Sequence, residues 1–456
     1  FFLLYYRFLL RQYFCFLFCP SYNKQTIVRT RHTTFDYQNI IIFIYDDNFN
    51  YLTKMCLERM REAAFRMARE ANARGAIVIA WSCDATDHVD IYLENDVDYV
   101  ILGEGEQTLL ELVDLLSGRS EKDPSHVDGL AFRSAQGEVV RTRNRELLRD
   151  LDVLPFPAWD LIDIERYRRI WKARHGYYSM NIITTRGCPF HCNWCAKPIY
   201  GQVYHTRSPE NVAAEMRMLK EQYHPDHLWF CDDIFGLRPG WIKQFGKVVR
   251  DVDTQTPFKC LARVDLLLRD SAVVDLSTAG CDKVWVGAES GSQKVLDAME
   301  KGTTVQQIHQ VTKRLHENGI KVGFFLQFGY PGETKEDIDK TLNMLKDSLP
   351  DEIGVSVSYP LPGTRFYEMV KNRLGEKKNW IDSQDLDLLF PGRFVPDFYR
   401  VLYKVVHKEL RLLQGLFALK ELTFRPWLVS KAKVRRIILI PYYLFTLLYH
   451  KFLLMR

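Results

Sequence analysis

From about residue 40 to residue 360 the chain alternates short apolar runs with longer stretches whose apolar positions recur every three or four residues. Runs of the first kind suit strands and stretches of the second suit helices, so the pattern predicts βαβ units with parallel strands. An early group of strands is predicted at Ile40–Tyr45, Ala76–Trp81 and Tyr99–Gly103. The helix between the first two, KMCLERMREAAFRMAREANARG, stops at Gly75. The third strand runs into GEGEQTLLELVDLL, where a tight Gly-rich turn opens another helix. A hairpin, GLAFRSAQGEVVRT, follows within a linker that ends in the stiff Pro155–Phe156–Pro157.

A longer series begins after this boundary. Strands are predicted at Asn181–Thr185, His227–Cys231, Phe258–Val264, Lys283–Ala288, Lys321–Phe328 and Ile353–Tyr359. The first five are each followed by a helix, at Pro209–Tyr223, Trp241–Asp251, Ser271–Ala279, Val305–Asn318 and Lys335–Asp347. Six such units fall short of the eight of a closed barrel and predict a partial, open one, with its chemistry at the C-terminal strand ends.

Composition narrows the class without naming it. With 456 residues, 47% hydrophobic and 26% charged, the chain has room for two to four domains and is not largely disordered, collagen-like or a polytopic membrane protein. A net charge of +5 is too small to imply nucleic-acid binding, but its distribution is uneven. Residues 1–40 carry +4 and 401–456 carry +9, which leaves the body at −8. Basic, aromatic-rich ends on an acidic body suggest a peripheral contact with an anionic membrane. The chain opens on Phe, as a fragment or a processed form would. Arg7, Arg11 and Gln12 interrupt its first apolar run, so it fits neither a signal peptide nor a spanning helix. Residues 1–40 are read as spurious or poorly ordered sequence, a membrane-surface segment or an anchor. At the other end four basic residues precede the uncharged run Ile437–Tyr449, broken by Pro441. Thirteen residues are too few to cross a bilayer, so they form either an interfacial helix or one packed on the body.

Ten cysteines in a chain of this length do not make a disulfide scaffold, and most are isolated. Cys188, Cys192 and Cys195 are clustered as C-x3-C-x2-C in TTRGCPFHCNWCAKP, at the end of the first strand of the second series. Three thiolates can hold three irons of a [4Fe–4S] cluster and leave the fourth open. A structural zinc site wants four closed ligands and would have to recruit His191 or His205.

With an aromatic residue before its last cysteine, this motif at this place resembles the radical S-adenosylmethionine (radical SAM) superfamily. The resemblance implies a [4Fe–4S] cluster on Cys188, Cys192 and Cys195. Its open iron would bind S-adenosylmethionine and its electron would cleave the cofactor to methionine and a 5′-deoxyadenosyl radical. Asp232 and Asp233 then fall where the superfamily contacts the methionine amino group, although one could cap the next helix. Arg263 and Asp265 would share one face of the third strand. Glu289 and Ser290 match the position that meets the ribose and carboxylate, and Gly329, Pro331 and Gly332 let backbone approach the adenine. Tyr204 and His205, just past the cysteines, are read either as substrate-side groups or, ahead of that, as surface residues.

Residues 41–420 resemble more narrowly a subgroup joining a cobalamin-binding domain to such a barrel, the anaerobic magnesium-protoporphyrin IX monomethyl ester oxidative cyclase type. The segments DATDHVDIYLENDVDYVILGEGEQTLLEL and RGCPFHCNWCAKPIYGQVYHTRSPENV carry this. The cobalamin part is incomplete, lacks an Asp-x-His-x-x-Gly loop before residue 120, and has Trp81 where a small residue would leave room for ligand. The expected fold class is α/β: a partial (β/α)6 radical SAM barrel preceded by an incomplete doubly wound cobalamin-binding-type domain, with a helical C-terminus. The expected divisions are 1–40, 41–120, a linker with hairpin at 121–175, the barrel at 176–375 and a basic helical region at 376–456. The resemblance implies a radical SAM enzyme acting on a small-molecule or tetrapyrrole-like substrate, with cobalamin as an additional cofactor to be tested. It also implies a flavodoxin- or ferredoxin-type electron donor, a cytoplasmic and oxygen-protected setting, and no nucleic-acid partner. A cobalamin-dependent methyltransferase uses the same parts, and an inactive iron–sulfur-binding relative is the reading from another class.

Overall fold

The apolar runs fall into two separate sheets. The computed structural model describes residues 14–18, 41–45, 57–197, 199–377 and 386–455. Apart from Phe14–Phe18, the expectations for residues 1–40 lie outside the described residues.

The first sheet has the order β1 (Phe14–Phe18), β2 (Ile41–Tyr45), β3 (Ile77–Trp81), β4 (Tyr99–Ile101), β5 (Leu130–Arg133) and β6 (Val139–Arg141). Strands β2, β3 and β4 are parallel, β1 is antiparallel on one edge, and the β5–β6 hairpin is antiparallel on the other. The hairpin read as part of a linker thus extends this sheet. Near-continuous apolar sequence in β2 and β3 reflects helices on both faces. Ala64, Ala68 and Ala71 bring helix Leu57–Asn72 against one face, together with Val89 and Tyr92. Leu112 and Val113 of helix Glu106–Leu116 cover the other.

The second sheet is built from β7 (Ser179–Ile182), β10 (His227–Phe230), β11 (Phe258–Ala262), β12 (Cys281–Glu289), β13 (Lys321–Phe328) and β14 (Glu352–Val357), all parallel and in chain order. Each crossover advances by one strand, and the predicted helices are found, among them Pro209–Tyr223 and Trp241–Asp251. Their starts are set by local chemistry. Ser208 caps the first, while Thr304 with Gln307 and Thr334 with Asp337 form capping boxes on two later helices. Alternation along the strands divides the faces. Val284, Val286, Phe324 and Leu326 are buried under the helices, whereas Trp285 and Phe325 face the concave side. Helix Pro396–Phe424 closes the core through Leu402, Val405 and Val406, followed by helices Lys431–Ile438 and Ile440–Met455.

Two strands end differently from the sequence reading. The run Asn181–Thr185 splits into β7 and a two-residue strand, β8 (Thr185–Arg186), which pairs antiparallel with β9 (His205–Thr206). Strand β11 stops at Ala262, and Val264–Leu267 is a helical turn. Arg263 and Asp265 therefore meet through an ion pair of 2.9 Å and not through strand alternation.

Two histidines give the fold an acid limit. Burial, helped by Lys259, lowers the His227 imidazole to about 4, and burial with Arg411 does the same at His407. The His407 Nε2 is shut off from solvent with no hydrogen-bond partner among the described residues. Both rings are neutral in the fold, while an unfolded chain protonates them near about 6.5. Their contribution to stability is complete above that value and is lost as pH falls toward 4. Thermal unfolding is expected to show a midpoint falling across this window, and a flatter profile in His407→Leu. An unchanged slope in that variant would remove His407 from the account.

Candidate active site

The cysteine loop is closed at its base and tied at its tip. Pairing of β8 with β9 joins Arg186 to His205 across the ends of the loop. Gly187 has a φ of +79°, and a Cβ there would lie 2.3 Å from the Val203 carbonyl oxygen, so only glycine fits. At the tip, the Asn193 backbone N–H donates to Met299 O at 3.1 Å and its Nδ2 to Ala298 O at 2.8 Å. Its Oδ1 accepts from the Tyr330 hydroxyl at 3.1 Å, and its carbonyl accepts from Phe366 N at 2.9 Å. The residue just after the second cysteine is thus sewn to segments that follow β12, β13 and β14. Cys188 is buried among Ile234, Leu266, Phe190 and Leu237, and that burial pushes its thiol up.

Asp232 is fully buried and accepts from Thr184 N at 2.7 Å, from the Thr184 hydroxyl and from Thr185 N at 2.9 Å. It fastens the strand that leads into the loop. Burial pushes its carboxyl up to about 7 against those three donors. Asp233 is exposed at the same strand end.

Cationic groups gather beside the sulfurs. The Arg263 Nη1 donates to Cys192 Sγ at 3.8 Å, its Nη2 to Lys301 O at 2.9 Å, and its guanidinium lies 3.6 Å from the Phe190 ring centre. Lys301 Nζ reaches Glu289 Oε1 at 2.8 Å, and both side chains are buried. Burial alone would lower the Lys301 ammonium, but Glu289 and the Cys192 sulfur hold it above the ordinary lysine range. Glu289 has a φ of +56° at a register shift between β12 and β13, an unusual backbone state for a non-glycine residue. Asn193 and Lys301 escaped the sequence reading because nothing in the spacing of either marks it.

Other predicted residues are placed as follows. Ser290 turns toward helix Lys335–Ser348, 3.2 Å from the Thr341 hydroxyl, and accepts from Ser292 N. The space beside Gly329 is taken by Leu388 and Tyr399, which lie 2.8 and 3.2 Å from where a Cβ would stand, and Glu333 Oε2 accepts from its N–H at 2.6 Å. The absent side chain there makes room for the C-terminal region, and the open approach lies at Gly332 beside half-buried Pro331. The Tyr204 hydroxyl accepts from Leu237 N at 3.2 Å, His205 sits in β9, and His191 is exposed. Among the described residues no three His, Cys, Asp or Glu side chains, the three cysteines included, converge on a single point.

From mid-strand toward the N-terminal strand ends, the face opposite the helices is aromatic and cationic. Trp285 stacks on Phe325 at 4.7 Å, over Gly323, whose Cβ would meet the indole at 2.4 Å. Lys259 Nζ lies 3.7 Å from the Trp229 ring centre. Burial and the nearby Lys283 lower its ammonium to about 8, and no carboxylate pairs with it among the described residues.

The GEGE turn faces the same loop. Arg186, one residue before Gly187, pairs with Glu104 at 2.7 Å and with Glu106. Trp81 donates from Nε1 to Gly103 O at 2.8 Å, and its indole occupies the space where a Cβ on Gly105 would go. A cleft of about 380 Å³ remains between Gly103, Glu104, Arg145, Lys197 and Tyr200.

Comparison with known proteins gives similar sequences and similar folds. Residues 182–345 match the sequence model of the Radical SAM superfamily. An uncharacterized methyltransferase of Pyrococcus horikoshii is 30% identical over 64% of this chain and 62% of its own length. The anaerobic magnesium-protoporphyrin IX monomethyl ester cyclase of Rubrivivax gelatinosus is 28% identical over 65% of this chain and 52% of its own. The chain thus spans between half and two thirds of these relatives. In fold, it is similar to the cobalamin-dependent S-adenosylmethionine radical enzyme OxsB with aqua-cobalamin bound, with a TM-score of 0.65 and 17% identity over 91% of this chain and 64% of that one. The radical S-adenosylmethionine methyltransferase TsrM from Kitasatospora setae gives a TM-score of 0.62 and 20% identity over 74% and 69%.

Proposed function

Since the chain carries a radical SAM domain, we propose that it is an enzyme holding a [4Fe–4S] cluster on Cys188, Cys192 and Cys195 and binding S-adenosylmethionine at the strand ends around it. The observation that carries this is the loop itself: three cysteines, closed by β8–β9, tied down by Asn193 and flanked by Arg263 and Lys301. The donor set fits the group. Three thiolates leave one iron open, and the two cations offset the negative charge that thiolates and cluster bring to a half-buried place. When bound, the cluster and S-adenosylmethionine supply reductive cleavage to a 5′-deoxyadenosyl radical, with the electron coming from a flavodoxin- or ferredoxin-type donor.

The chain's own residues hold and shield. Asp233 offers a carboxylate to an ammonium, Glu289 with Lys301 presents a paired carboxylate beside the loop, and Asp232 positions the strand beneath it. Phe190, Ile234, Leu237 and Leu266 keep water from Cys188. An open iron needs an anaerobic or oxygen-protected cytoplasm.

A flat, anionic substrate reaching from the loop toward the N-terminal ends of the strands is supported by Trp285 and Phe325, which carry aromatic rings there, and by Lys259, near the start of β11, which carries a charge without a carboxylate partner among the described residues. A tetrapyrrole with propionate groups meets this description, as does the substrate in the Rubrivivax relative's name. Titration with protoporphyrin IX is expected to show binding that weakens about tenfold or more in Trp285→Ala and in Lys259→Met, a difference of about 1.4 kcal/mol each. Equal affinity in all three chains would remove this face from substrate binding.

A second reading, a cobalamin-dependent methyltransferase, draws on the GEGE turn placed against the cysteine loop. The cleft there lies at the small end of ligand pockets, and Trp81 fills the turn, so the residues present do not fit a corrin without movement of Trp81.

The test is anaerobic: reconstitute iron and sulfide, reduce with dithionite, add S-adenosylmethionine and assay 5′-deoxyadenosine. Its formation by the intact triad alone supports the proposal. Zinc as the bound metal would end it.

A further inference from the structure

We propose that the C-terminal helices form an in-plane docking surface for an anionic lipid bilayer, separate from the radical chemistry. Of the large hydrophobic side chains exposed among the described residues, 15 of 21 lie between Leu416 and Met455, so the uncovered apolar surface is concentrated on the C-terminal helices. The most open are Phe424, Trp427, Ile438, Phe445 and Met455, each at least 70% exposed. Monomeric surfaces rarely concentrate apolar side chains in this way unless something covers them.

Helix Ile440–Met455 is apolar almost all round, yet only Leu447 is buried. One side is held to the body. Ile440, Tyr443 and Leu454 pack on the core, Lys451 pairs with Glu409 at 3.0 Å, and Gly415 lets the helices cross closely, with a Cβ position 2.8 Å from Ile440. The other side carries Tyr442, Phe445, Tyr449 and Phe452 into solvent. The two alternatives left by the sequence, an interfacial helix and one packed on the body, are therefore two faces of one helix.

Charge identifies the occupant. Residues 422–456 contain seven Lys and Arg and no Asp or Glu. Arg425, Lys431, Arg435 and Arg436 are exposed and, among the described residues, form no ion pair. Apolar side chains, tyrosines and tryptophan beside uncompensated basic residues match the order of acyl chains, interface and anionic headgroups. A protein partner with an apolar face would not require that second layer of charge.

The surface lies on the bilayer and does not cross it. No single described helix is long and apolar enough to span, and the pair Lys431–Ile438 and Ile440–Met455 is bent by 46°. The 16 residues of the second helix extend about 24 Å, short of a hydrocarbon core of about 30 Å, and one side is committed to helix Pro396–Phe424.

The test is flotation of the full chain with vesicles of phosphatidylcholine alone and with about 30% phosphatidylserine. Binding is expected to be about tenfold tighter on the anionic vesicles and to weaken as salt is raised. Phe445→Glu with Phe452→Glu should abolish it on both, and Lys431→Glu with Arg435→Glu should remove the preference for anionic lipid. Unchanged circular dichroism in each variant shows that the body is intact, and 5′-deoxyadenosine formation without vesicles is read separately. No flotation, or flotation indifferent to lipid charge and to these substitutions, overturns the proposal. So does self-association in sedimentation that Phe445→Glu abolishes, because the surface would then join copies of the chain.

Discussion

Replacing Cys195 by alanine is expected to leave a folded chain that forms no 5′-deoxyadenosine above background, a loss of at least about 10³-fold. The thiol is only half-buried, and its Sγ is 4.0 Å from the Ala196 carbonyl oxygen, so removing one sulfur atom disturbs little packing. A surface-like change of this kind costs about 0.5 kcal/mol or less. The chemistry has no such tolerance. With the proposed ligand set, two cysteines would hold only two corners of a four-iron cluster, and neither exposed His191 nor β9-bound His205 stands in the loop's third position. Circular dichroism and unfolding report the first half of the expectation, iron content and nucleoside yield the second. If the variant keeps its nucleoside yield, the triad is not the ligand set. If the intact chain binds four irons but makes no nucleoside with any candidate substrate, the inactive iron–sulfur reading replaces the proposed one.

Lys301→Met is expected to be the most damaging single substitution beside the loop that leaves the cysteines untouched. It strands the Glu289 carboxylate, whose partner is 2.8 Å away and whose backbone is already held at a φ of +56°. Breaking a buried ion pair from one side costs about 3–5 kcal/mol, much of it the expense of the orphaned charge. The double variant Lys301→Met with Glu289→Gln should recover most of that stability while remaining inactive, since the Lys301 ammonium beside Cys192 is gone and only Arg263 is left there. Urea unfolding of the two single variants and the double variant closes the cycle. Strictly additive losses would mean that the pair is not coupled, and Glu289 would then hold its conformation for another reason.

Local features were legible where one short segment decides the outcome. Helices Pro209–Tyr223 and Trp241–Asp251 begin and end where the apolar period and flanking residues say, with Ser208 capping one and Gly240 preceding the other. The cysteine spacing placed the loop at the end of the first barrel strand for the same reason. What could not be read depends on which strand lies beside which. Asn193 makes sense only once the ends of β12, β13 and β14 are known to gather over the loop. Lys301 pairs across twelve residues that hide the turn between them. Gly329 and Ser290 were assigned toward a ligand by resemblance, whereas Leu388, Tyr399 and Thr341, distant in sequence, occupy their surroundings. Trp81 was the reverse case: a bulky residue in a place suited to small ones, and the structure puts its indole in that space.

The pairing of Arg186 with Glu104 and Glu106 bears on how freely such chains can be recombined. Arg186 is 11% exposed, yet its two counter-charges come from the turn and helix that follow β4 of the first sheet. A chimera that grafts a different N-terminal sheet onto this barrel must therefore bring acidic residues at both places. Otherwise an uncompensated guanidinium is left one residue from the glycine on which the cysteine loop turns. The two modules are interchangeable only as matched halves, and a graft with a single acidic residue at that turn would show its mismatch first in iron retention, before any loss of overall folding.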